Sequence, residues 1–156
     1  HLSTGDLLRQ EIDQKSLLGN QVSEIINKGE LVSDEIVLSI VAKNLSETSK
    51  GWLLDGYPRN LVQASSLNEL LTGLNQPIDS VVFIKLSDEE LVTRLLGRGR
   101  VDDNEEVIRN RLKIYESQTA PLVSHYASQD KLLVVDGNGA VQEVTSRIKT
   151  ALKLTV

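Results

Sequence analysis

Leu53-Leu54-Asp55-Gly56-Tyr57-Pro58-Arg59, with Gln63 four positions further on, is the stretch that decides the fold of this 156-residue chain. The apolar run Trp52-Leu53-Leu54 lies between Gly51 and Gly56, is too short for a helix, and predicts a buried strand. Asp55 then falls at the carboxyl end of that strand, where open α/β sheets hold their ligands. Gly56 permits a sharp turn and Pro58 fixes one backbone dihedral, so Arg59 leaves in a defined direction. A guanidinium held in this way suits forked, charge-assisted hydrogen bonds to a phosphate. A strand-turn-helix with a surface arginine and a turn aspartate is the plainer alternative, and this stretch alone leaves both open.

Outward from this stretch, apolar spacing alternates between helix and strand. Ser3 or Thr4 can cap a first helix that carries Asp6 in its first turn and Leu7, Leu8 and Ile12 on its apolar stripe. Leu18, Val22, Ile25 and Ile26 predict a second helix stopped by Gly29. A third, capped by Ser33, has Asp34 and Glu35 in its first turn and Ile36, Val37, Ile40 and Val41 facing inward. After the Leu53 strand, Leu61, Ala64, Leu67, Leu70 and Leu71 define a helix. The β-branched run Ser80 to Leu86 predicts a second buried strand. Ser87 with Glu90 then forms a capping box for a helix from Asp88 to Leu96. Gly97 to Asp103 reads as a loop. The next helix carries Val107, Ile108, Leu112 and Tyr115 on one face and should break or kink near Thr119-Ala120, before Pro121. Lys131 to Val135 is a third strand, and a closing helix runs from Val141 to Leu152. Strands separated by helices predict an α/β fold with a parallel sheet in one domain.

A hydrophobic content of 40% and a charged content of 25% are those of an ordinary globular protein, and a net charge of -5 argues against nucleic acid or an anionic membrane as partner. The chain has no cysteine and two distant histidines, so thiolate and zinc chemistry are not expected. With no long apolar run and no signal peptide, it reads as soluble and cytoplasmic. Positive charge is nonetheless concentrated. Arg94, Arg98, Arg100, Arg109 and Arg111 fall within 18 positions, interspersed with Asp102, Asp103, Glu105 and Glu106. A salt-bridged surface helix would account for that pattern. The choice of arginine over lysine, with Gly97 and Gly99 flanking Arg98, points instead to a loop that closes over phosphates. Arg109 and Arg111 are two apart, so only one of them need face a ligand.

Several segments occur in a telling order: Ser3-Thr4-Gly5-Asp6-Leu7-Leu8-Arg9, Lys28-Gly29-Glu30-Leu31-Val32, Leu54 to Arg59 with Gln63, and Gly97-Arg98. Arg100-Val101-Asp102-Asp103-Asn104-Glu105-Glu106, Arg109-Asn110-Arg111-Leu112 and Gln118-Thr119-Ala120-Pro121-Leu122 complete the set. Together they resemble the adenylate kinase family of nucleoside monophosphate kinases, over nearly the whole chain. The resemblance implies a P-loop-kinase-like parallel sheet flanked by helices, with residues 5–50 as nucleoside-monophosphate-binding helices and 97–102 as a short lid. It implies reversible transfer of a phosphoryl group from ATP to AMP, giving two ADP, with Mg2+ and as a monomer. Thr4, Arg9, Gly29, Val32, Gly56, Arg59 and Gln63 would bind AMP, with Arg100 and Arg111. Arg94 and Arg98 would contact ATP. Arg94, Arg98, Arg100, Arg111 and Asp55 would serve the transfer itself, and Asp6 and Asp55 would hold magnesium through its water shell.

The family begins with a strand, a glycine-rich phosphate loop, a helix and a second strand. No G-x-x-x-x-G-K-[ST] occurs in these 156 residues. The chain is expected to enter at the end of the family's second strand, and the family's central first strand would belong between the Leu53 and Val82 strands. These residues alone are therefore expected to fold poorly and to turn over no nucleotide. Two alternatives remain: a uridylate-cytidylate kinase, whose members typically carry Ala at the position of Thr4 and Asn at that of Gln63, and a non-catalytic nucleotide-binding protein.

Overall fold

The computed structural model describes residues 1–46, 51–100 and 103–154. The chain opens with a two-residue strand, β1 (Leu2–Ser3), followed directly by α1 (Thr4–Asp13), α2 (Leu17–Asn27) and α3 (Asp34–Ser46). Strand β2 (Leu54–Asp55) leads into α4 (Leu61–Gly73), and β3 (Val81–Lys85) into α5 (Asp88–Arg98). Then come α6 (Glu105–Ile114), a π-helical turn (Tyr115–Thr119), α7 (Pro121–Ala127), β4 (Leu132–Asp136) and α8 (Val141–Ala151). All strand pairing is parallel, as expected when each return crosses through helices. Leu2 lies opposite Leu54 and Ser3 opposite Asp55, while β3 and β4 pair from Val81–Leu132 to Lys85–Asp136. Among the described residues no ladder joins the two pairs.

Helix boundaries follow local chemistry. Ser3 and Ser16 each accept a hydrogen bond from the backbone N–H three residues on, capping α1 and α2. Asn60 does the same for α4, its Oδ1 taking the Gln63 N–H at 2.7 Å. Ser87 caps α5 through the Glu90 N–H, but the reciprocal half of the expected box is not made, because the Glu90 carboxylate holds Arg94 at 2.7 Å. The interruption expected before Pro121 is the π turn, after which Pro121 takes the first position of α7, where its missing N–H costs nothing.

The main core packs Leu8, Val22, Val37, Val41, Leu45, Leu67 and Leu71 between α1, α2, α3 and α4, with Tyr57 at its edge. A smaller cluster of Ala64, Leu122 and Tyr126 joins α4 to α7, with Val81 and Leu132 against it. Three sequence expectations need correction. Leu53 is 54% exposed and precedes β2 instead of lying buried within it; Ile84 and Val134 on β3 and β4 are 45% and 59% exposed. Apolar strand residues are covered on both faces only when a sheet has neighbours on each side, and each described ladder has two strands. Leu61, placed on the α4 stripe, is also exposed. Gly97 and Arg98 belong to α5, not to a loop; the helix ends at Gly99, whose φ of 72° is a left-handed C-cap. Of the expected lid, Val101 and Asp102 lie outside the described residues, as do residues 47–50 of the expected 5–50 segment.

Candidate active site

Where β1 and β2 end, a cleft of about 350 Å³ opens between the start of α1, the α2–α3 connection, the turn after β2 and the arginines of α5 and α6. Its floor is the Asp55-to-Arg59 turn. Gly56 has a φ of +74°, so its conformation favours glycine, and the Tyr57–Pro58 peptide is cis. The Arg59 guanidinium folds back over Gly56, its Nε donating to the Gly56 carbonyl at 2.7 Å. The Arg59 main chain is fixed at both ends: its N–H donates to Gln63 Oε1 at 2.7 Å, and its carbonyl accepts from Thr119 Oγ1 at 2.7 Å. Desolvation by the cleft walls, then the positive charge of Arg111, lowers the Arg59 pKa; Arg9 adds to this and Asp55 opposes it. Three guanidinium groups thus bear on one point, an arrangement that an anion would relieve.

Further residues converge on this point. Thr4 is 3% exposed and donates its hydroxyl to the Gly56 carbonyl at 3.1 Å, stapling α1 to the turn. Arg9 donates to the Asp6 carboxylate, which Arg100 also reaches at 3.5 Å. The Arg9 hydrogen bond is the largest of the influences holding the Asp6 carboxyl below its usual range. Asp103, with a fully buried side chain, accepts two hydrogen bonds from Arg98 (2.8 and 2.6 Å), one from Arg111 (3.4 Å) and one from the Arg100 N–H (3.2 Å). Those partners, Arg98 foremost, lower its pKa. Leu8, Ile26, Leu31, Val32 and Val37 give the cleft its apolar side.

Of the residues picked from sequence, Thr4, Asp6, Arg9, Gly29, Val32, Asp55, Gly56, Arg59, Gln63, Arg98, Arg100 and Arg111 all line this cleft. Arg94 does not. Its guanidinium binds Glu90 and the carbonyls of Gly137 (3.0 Å) and Gly139 (3.1 Å), tying α5 to the turn after β4. The i,i+4 spacing of Arg94 and Arg98 places them along one face, but their partners pull them to different sites. Arg109 makes an i,i+4 pair with Glu105 and is 70% exposed, the solvated arrangement expected for one of the two α6 arginines. Gln63 is 2% exposed and both ends of its amide are occupied, Oε1 by Arg59 and Nε2 by Asp34 Oδ1 at 2.7 Å. Asp34, Asn60, Asp103 and Thr119 hold the arginines in place without having been singled out. The one signal in the sequence was Asn60 three residues before Gln63, the spacing of a helix cap.

Gly29 has a φ of +73°, and a Cβ there would lie 2.9 Å from Val107 Cγ1 and 3.0 Å from the Val107 carbonyl oxygen. The glycine is required by close packing against α6 as well as by the cleft. Gly29→Ala should cost about 1–2 kcal/mol for the left-handed backbone and about 1–3 kcal/mol for overpacking. A thermal melt of the full-length protein checks this; an unchanged midpoint would contradict the packing.

An α/β chain with parallel strands and an arginine-ringed cleft at their carboxyl ends has the form of a nucleotide phosphotransferase. Comparison with known proteins agrees: a family model described as adenylate kinase matches residues 1–131. The chain is 59% identical over 152 residues to an adenylate kinase of the cyanobacterium Prochlorococcus marinus, covering 97% of this chain and 84% of that protein. It is 57% identical over 157 residues to the adenylate kinase of P. marinus strain MIT 9211, covering 100% of this chain and 84% of the relative. It is also 55% identical over 152 residues to that of Synechococcus sp. (strain RCC307), covering 97% and 84%. The chain belongs to the adenylate kinase family, and is a phosphotransferase.

Proposed function

We propose that the full-length protein transfers a phosphoryl group from ATP to AMP, reversibly, giving two ADP. The observation that carries this is the convergence of Arg9, Arg59 and Arg111 on one point beside an apolar wall. A nucleoside monophosphate has an anion at one end and a flat base at the other, and the cleft offers a counterpart to each. Arg59 and Arg9 would take the acceptor phosphate, and Arg98, Arg100 and Arg111 would surround the transferring group. Such fixed guanidinium groups stabilise the charge that develops on the equatorial oxygens and exact no reorganisation at the moment of transfer. Val32 and the backbone at Gly29 would receive the base, with Gln63 at its edge. Residues 5–50 would form the acceptor-binding part and 97–102 a short lid.

Magnesium would be held by Asp55 and Asp6 through water. Both carboxylates line the cleft, Asp55 with a side chain 63% exposed. Among the described residues no group of three or more His, Asp or Glu could bind a metal directly, which suits an ion that keeps its own waters. Asp6 is shared with Arg9 and Arg100, leaving Asp55 the freer of the two. Magnesium, when bound, neutralises phosphate charge. No described helix is long and apolar enough to cross a membrane, and we place the enzyme in the cytoplasm as a monomer. Phosphorus NMR of the full-length protein with ATP, AMP and Mg2+ should show ADP forming, and ATP and AMP appearing from ADP alone. Absence of both conversions would refute the proposal.

A further inference from the structure

We propose that Asp34 is a positioning residue that sets the direction of the Gln63 amide and, through it, the choice of acceptor base. The inference deepens the reading of the cleft as an AMP site and rests on it. A carboxamide has nearly the same shape either way round, so a buried one is directed by its neighbours. Gln63 has two. An ionised carboxylate only accepts, and Asp34 Oδ1 takes Gln63 Nε2 at 2.7 Å. The carbonyl end is thereby turned to the Arg59 N–H, also at 2.7 Å.

The same oxygen accepts from Asn60 Nδ2 at 3.1 Å, which leaves Asn60 Oδ1 to cap α4. One carboxylate in the first turn of α3 therefore orients two amides at the start of α4. After these bonds Gln63 retains one N–H and one lone pair, a donor and an acceptor side by side in a fixed order. A base edge presenting the complementary pair would be accepted, and one presenting the reverse order would leave buried groups unpaired. Without Asp34 the amide could turn, and the order would be lost.

The test compares the full-length protein with its D34A, D34N and Q63A variants. Asn keeps an oxygen that can accept both bonds; Ala does not. D34A should raise KM for AMP about tenfold and lower the AMP-to-CMP ratio of kcat/KM by about the same factor, the scale of one hydrogen bond. It should leave kcat and KM for ATP within about twofold. D34N should keep the selectivity, and Q63A should lose it as D34A does. Hydrogen exchange of the Arg59 N–H should be faster in D34A and Q63A and unchanged in D34N. A D34A variant that retains AMP-to-CMP selectivity, or that loses kcat and both KM values alike, would reduce Asp34 to a tie between α3 and α4 and overturn the proposal. If the parent itself makes no ADP, the AMP reading fails, and with it the link to base choice. The exchange data then still decide whether Asp34 directs the amide.

Discussion

Arg59→Ala should weaken AMP binding by about ten- to a hundredfold, whereas Arg109→Ala should change it less than about twofold. The two arginines differ in what holds them. Arg59 is fixed by its own Nε on Gly56, by Gln63 on its N–H and by Thr119 on its carbonyl, so its guanidinium is in place before a ligand arrives. Pre-organisation of this kind removes the entropy that a free arginine would lose on binding. Its neighbours Arg111 and Arg9 make an anion at that point more welcome still. Arg109, by contrast, is paired with Glu105 in solvent, where such pairs contribute little. Isothermal titration of the full-length variants with AMP measures the difference. Equal losses for the two substitutions would place the phosphate elsewhere.

Asp103→Ala should be the next most damaging change, reducing kcat by about ten- to a hundredfold while affecting AMP affinity less. Asp103 is the common acceptor for Arg98 and Arg111 and for the Arg100 backbone, and its side chain is fully buried. Removing it leaves the arginines without their shared anchor, and each misdirected guanidinium weakens the stabilisation of developing charge. Because Arg98 and its neighbours lower the Asp103 pKa, the folded value lies below the unfolded one. Its contribution to stability is therefore fully present above the ordinary aspartate pKa of about 3.9, and is lost as pH falls through the lower folded value. The stability difference between wild type and D103N, from denaturant titrations, should be constant at neutral pH and shrink only in strong acid. A difference that vanished on going from neutral to mildly acidic pH would mean that another group controls the cluster.

The helices were legible in the sequence because their caps and apolar spacing are local. Ser3, the run from Ser16 to Gly29, and Pro121 mark boundaries that depend on a few neighbouring residues. Burial of the strands was not legible. Ile84, Val134 and Leu53 are apolar, but whether they are covered depends on which strands stand beside them, a property of the ladder and not of the residue. The cleft was legible through its arginines and the Asp55-to-Arg59 turn, since those residue types in that order serve few other purposes. What escaped was the support: Asp34 is 29 residues from Gln63, and Thr119 is 60 from Arg59. No spacing rule links positions so far apart. Arg94 illustrates the opposite error, in which helix periodicity placed it beside Arg98 while the carbonyls of Gly137 and Gly139 drew it away.

The most direct test of the central claim is kcat/KM of the full-length enzyme for AMP, CMP and UMP, with ATP and Mg2+ as donor. The Gln63 amide, directed by Asp34 and Arg59, offers a donor and an acceptor to one kind of base edge, and a pyrimidine would leave them unpaired. We expect AMP to be preferred by about a hundredfold or more. Comparable values for AMP and CMP would contradict an adenine-reading acceptor site.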